Sequence, residues 1–131
     1  MQAKSRLFIA LAIAVATPYL ARLPGMMTHG SEWLTSYFPS VLGVLFFNAF
    51  ALLAGVGLFF FSTMHPRARS AFLAGSIVLF LALFAMHSTL DLSSDSTAAV
   101  ALVIFPFLAL VPTAASFFGV VLAAKIRGRK D

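Results

Sequence analysis

In the stretch FAMHSTLDLSSDS, positions 84 to 96, His87, Asp91 and Asp95 stand four residues apart. On a helix that spacing lines three titratable groups along one face. Histidine titrates near neutrality and ligates metals, while carboxylates orient it or take its proton. His29 and Glu32 lie in a second polar stretch, so five groups are chemically sufficient for a zinc, copper or proton-linked site. A plainer reading competes with that one. DLSSDS has turn composition and breaks helicity between Asp91 and Asp95. His87 sits only three residues, about 5 Å, below the end of its apolar run, where an imidazole is half in water. The balance favours a solvated helix end, with Ser94 or Asp95 capping the helix that follows.

Other chemistries find little support. Cysteine is absent, which removes thiolate nucleophiles, disulfides and Cys-based metal sites. The sequence holds no H-E-x-x-H, no Gly-rich phosphate loop and no nucleophile–base pair at usable spacing. Haem would want histidines paired across helices, and only His87 lies in an apolar run. No enzymatic activity and no cofactor are expected. The net charge of +5 sits in short clusters beside apolar runs rather than in a basic domain, so nucleic acid is not an expected partner.

Of the 131 residues, 61% are hydrophobic and only 10% charged. Mean hydropathy is +1.00, far above a soluble domain, and a core of this size could not hide so much apolar surface from water. The expected fold is all-α: one domain, a four-helix transmembrane bundle of two antiparallel hairpins. The spans are read at about 7–23, 41–64, 71–90 and 97–124, each near the length needed for a hydrocarbon core about 30 Å thick. Lys4, Arg6, Arg67, Arg69, Lys125, Arg127, Arg129 and Lys130 fall on one side if the spans alternate, leaving Arg22 alone opposite. Basic residues in short loops stay cytoplasmic, so both termini are expected inside, in a bacterial inner membrane. A rival reading takes Ala14-Val15-Ala16 as a signal-peptide cleavage site, which would leave three spans. The apolar run continues past that site, which argues against it.

The connections carry their own signals. In HPRARS, Pro66 ends the second span and Ser70 is placed to cap the third. The segment SEWLTSYFPS puts Trp33, Leu34, Tyr37 and Phe38 at helical spacing, which predicts a short amphipathic helix over about 31–38. Trp33 and Tyr37 would anchor it in the headgroup layer, and a lid over a cavity is the alternative.

Within the spans, Asn48 needs polar partners and should face other helices. Pro106 and Pro112 interrupt the fourth span and Pro18 the first, each freeing a carbonyl. Pro106 lies at about the depth of Asn48, so its freed carbonyl is a candidate partner, and Thr113 and Ser116 could re-satisfy backbone beyond Pro112. Ala51-x-x-x-Gly55 and Ala115-x-x-x-Gly119-x-x-x-Ala123 permit close helix approach. In size and span count the chain resembles small four-helix efflux proteins, in architecture alone. The membrane-embedded glutamate of their first helix has no counterpart here. The function expected is therefore a non-enzymatic accessory protein: a subunit, assembly factor or immunity-type binder of another membrane protein. A homodimeric transporter is the alternative, and metal or proton handling by the His and Asp groups the third reading.

Overall fold

The computed structural model describes residues 2–35, 41–91 and 98–128. These form six helices: α1 (Ala3–Leu20), α2 (Leu23–His29), α3 (Glu32–Thr35), α4 (Val41–Met64), α5 (Arg69–Thr89) and α6 (Ala98–Arg127). Four stretches are long and apolar enough to cross a membrane: Ala3–His29, Leu45–Met64, Arg69–Thr89 and Val100–Arg127. Their surfaces carry large apolar side chains such as Phe8, Leu42, Ile77 and Val111, each more than half exposed. In water that coat would be an aggregation surface; lipid tails solvate it.

Several boundaries differ from expectation. The first span opens earlier than residue 7 and is broken at Ala21 and Arg22, after which a further short helix, α2, carries Pro24 and Gly25. Pro24 is tolerated there because the first turn of a helix has no intrahelical use for its missing N–H. The amphipathic helix expected over 31–38 is described only as α3, with Tyr37 outside the described residues. Ser70 does not cap the third span: α5 begins at Arg69, and the Phe72 N–H reaches the Ala68 carbonyl directly. Pro106 and Pro112 do not interrupt the last span either, since α6 runs unbroken through both. Asp95 and Ser94 lie outside the described residues.

The helices pack in a consistent register. Arg6 meets Ser62, Ala10 and Ala14 meet Gly55, and Tyr19 meets Asn48, so α1 runs against α4 in the opposite direction. Phe61 lies by Phe117, and Gly57 by Leu110, which sets α4 alongside α6 in the same direction. His87 touches Phe105 while Gly75 faces Phe117, so α5 and α6 run opposite ways. Consequently the start of α1, the α4–α5 turn and the end of α6 share one end of the structure. The α1–α2 junction and the end of α5 share the other. Between them Leu58, Phe72, Leu79, Leu83, Ala109 and Phe117 form the buried core.

Gly55 is what allows the α1–α4 approach. A Cβ there would stand 2.7 Å from the Ala10 carbonyl oxygen and 3.2 Å from the Ala14 Cβ. Gly119 contrasts with it, since nothing lies within 4 Å of a Cβ built on it. Ala115, Gly119 and Ala123 are all exposed, so this small-residue stripe faces away from the rest of the chain.

Candidate functional site: two buried arginines at opposite helix ends

Arg6 and Arg22 carry the least expected feature. Arg6 lies in α1 and Arg22 in the break between α1 and α2, and both are buried, at 5% and 0% exposure. Sixteen residues of helical rise separate them by about 24 Å, most of the thickness of a hydrocarbon core. Each guanidinium reaches the C-terminal end of a neighbouring helix, where the last carbonyls lack intrahelical partners and the helix dipole is negative.

At the turn end, Arg6 Nη1 donates to the Ser62 carbonyl at 3.2 Å, and Nη2 donates to the Pro66 carbonyl. The acceptor has a clear origin. In a continuing helix Ser62 would receive the N–H of residue 66, and proline has none to give. Arg6 supplies the donor that Pro66 lacks. Its guanidinium also lies 5.7 Å from the centre of the Phe72 ring.

At the other end, Arg22 Nη1 donates to the Leu90 carbonyl at 2.5 Å, just past the last turn of α5. Its guanidinium carbon stands 4.3 Å from the Trp33 ring centre, within cation–π range. Trp33 is half-buried and packs tightly on Gly25, while His29 stacks on it at 4.4 Å between ring centres. The indole expected as a headgroup anchor is thus also a cover over Arg22. One turn back along α5 from Leu90, His87 is only 4% exposed and meets Phe105 edge-on at 5.3 Å. The expectation of a half-wet imidazole is corrected: counting from the span end gave its depth, but α6 covers it.

The candidate ligands do not converge. Among the described residues no three His, Cys, Asp or Glu side chains come together as a metal site. His29 and Glu32 are exposed, Asp91 is half-buried, His87 is enclosed, and Asp95 lies outside the described residues.

Asn48 does face a neighbouring helix, yet its partner is not the carbonyl freed at Pro106. The Tyr19 hydroxyl donates to Asn48 Oδ1 at 2.8 Å, tying α1 to α4. Thr113 Oγ1 donates to the Ala109 carbonyl at 2.7 Å, beside the carbonyl that Pro112 frees. Thr17 does the same beside Pro18, donating to Ile13. In both cases the hydroxyl donates to a carbonyl next to the freed one, not to the freed one itself, so the expected re-satisfaction by Thr113 does not occur there.

Two residues escaped the sequence reading as site components, Arg6 and Arg22, which figured only as topological charge. A signal existed for each. Pro66 leaves Ser62 without a donor, and Arg22 is the one cation set apart from eight others. Comparison with protein families, with characterised proteins and with solved structures found no match to this chain.

Proposed function

We propose that this chain is a multi-pass protein of the bacterial inner membrane that serves as a non-enzymatic accessory protein. In this reading it is a four-helix bundle of two antiparallel hairpins, with both termini cytoplasmic, docking sideways on another membrane protein. One observation carries it: the allocation of the buried polar groups. Of the buried polar side chains among the described residues, Arg6 and Arg22 donate to carbonyls at the ends of neighbouring helices, Thr17, Ser62, Ser76 and Thr113 donate to carbonyls of their own helices, and His87 packs edge-on against Phe105. A translocation path or reaction centre instead needs membrane-depth polar groups turned toward a substrate. Here six of the seven spend a donor on the chain's own backbone, and the two arginines tie the first span to the α4–α5 hairpin.

The orientation is supported by charge. Lys4, Arg67, Arg69, Lys125 and Arg127 belong to the turn end, while Glu32 and Asp91 belong to the other. The uninterrupted run of α1 through Ala14–Val15–Ala16 supports retention of the N-terminal segment, because cleavage there would discard Arg6 and the Ala10 contact with Gly55. The surface offered for docking is the outer face of α6, where Val111, Ala115, Gly119, Leu122 and Ala123 recur at helical spacing. Small residues let a second helix approach closely.

A photo-crosslinking amino acid placed at Gly119, and for comparison at the exposed Phe8 of α1, tests this in native membranes. A single heterologous adduct specific to Gly119 is the expected result. Adducts only to a second copy of the chain would favour a homodimeric transporter, and equal labelling from both positions would end the docking reading.

A further inference from the structure

At the turn end, a groove of about 390 Å³ opens between the α4–α5 turn, residues 64–68, and Val121 and Ala124 of α6. That volume falls within the roughly 300–1,000 Å³ of small-molecule sites. Its walls are almost entirely apolar, from Met64, Pro66, Ala68, Val121 and Ala124, while Arg67 and His65 stand in the turn at its rim. Lys125 and Arg127 follow Ala124 in the last turn of α6. Among the described residues no carboxylate lies at this end, since Glu32 and Asp91 are at the opposite one.

An apolar trough whose rim is cationic fits an amphiphile with an anionic head. We infer that this groove binds an anionic phospholipid, one acyl chain lying between Pro66 and Val121 and the phosphate held at Arg67 in the field of Lys125 and Arg127. A free phosphate has no use for the apolar walls, and a zwitterionic lipid gains less than an anionic one from a cationic rim. Arg6 plays no part, because its guanidinium is taken up by the carbonyls of Ser62 and Pro66. The turn is held open by its own bonds, Ala68 N–H to His65 and Arg69 N–H to Arg67, so the rim is shaped before any lipid arrives. The inference rests on the helices being membrane spans and is independent of what α6 docks against.

The test is native mass spectrometry of the detergent-purified full chain with phosphatidylglycerol or with phosphatidylcholine of matched acyl chains. Thermal unfolding with inorganic phosphate is run alongside. Phosphatidylglycerol should be retained preferentially, with retention falling about fivefold in Arg67→Gln, the worth of one surface cation at a membrane. Ala124→Phe, at an exposed position, should fill the trough and abolish retention of both lipids while leaving thermal unfolding unchanged. Equal retention of the two lipids, retention surviving Ala124→Phe, or stabilisation by inorganic phosphate matching that by the lipid would each overturn the inference.

Discussion

Replacing Gly55 by alanine sets two known effects against each other, and a second glycine in the same protein separates them. A methyl group at Gly55 would stand 2.7 Å from the Ala10 carbonyl oxygen, about 0.7 Å inside ordinary contact. The obstacle is backbone, so relief requires α1 and α4 to part. Overpacking of this kind costs about 1–3 kcal/mol. Against it, alanine is the better helix former by about 1 kcal/mol. The net expectation for Gly55→Ala is a loss of about 0–2 kcal/mol. Gly119→Ala meets nothing within 4 Å and keeps only the gain. Because the propensity term is common to both variants, it cancels in their difference, leaving about 1–3 kcal/mol from the clash alone. Unfolding by titration of sodium dodecyl sulfate into mild-detergent micelles measures it, followed by fluorescence of Trp33, the single tryptophan. Equal stability of the two variants would refute the close approach of α1 and α4 and with it the register of that pair.

Tyr19→Phe removes the hydroxyl that bonds Asn48 and should cost about 0.6 kcal/mol; the same loss should vanish in an Asn48→Leu background if that pair is the coupling, as a double-mutant cycle in detergent would read. Gly25→Ala would drive a Cβ to 2.2 Å from Trp33 Nε1, so the indole should swing off Arg22 and its emission shift to the red, with an unchanged spectrum contradicting the packing.

Four apolar spans were legible because hydropathy is a local property: a run such as LFLALF declares its solvent whatever surrounds it. Azimuth is not local, and most departures come from there. The depth of Asn48 was readable, as was its need for a partner. Whether Tyr19 or the carbonyl freed at Pro106 would meet it depended on how α1 and α6 turn about their axes. His87 failed the same way, since distance from a span end says nothing of the Phe105 ring laid against it. Cap chemistry misled at Ser70 because the tight turn after Pro66 begins α5 on backbone bonds alone. Arg6 and Arg22 find their acceptors 56 and 68 residues away, beyond any local pattern.

Those two arginines suggest why α1 stays in register with the α4–α5 hairpin. A smooth apolar helix in lipid can slide or rotate at little cost, because tails solvate every face alike. Fastening it at both ends to carbonyls at the C-terminal ends of α4 and α5 removes that freedom. Burying a cation is expensive, and a buried pair replaced by apolar groups is often no less stable. Stability is therefore a weaker readout than geometry. Arg6→Met leaves Ser62 with neither the proline N–H nor the guanidinium, an orphan worth about 1–3 kcal/mol, partly offset by the charge no longer buried. Arg6→Lys restores a point charge but not the fork that reaches Ser62 and Pro66 together, so its rescue should be partial. The sharper expectation concerns disulfide trapping between Cys introduced at Ala10 and at Ala54 across the α1–α4 seam. In the parent chain the pair should crosslink in one register only. In Arg6→Met, crosslinks to positions a turn away should appear as well, and a seam that stays in single register without Arg6 would show that packing around Gly55 alone sets the position of α1.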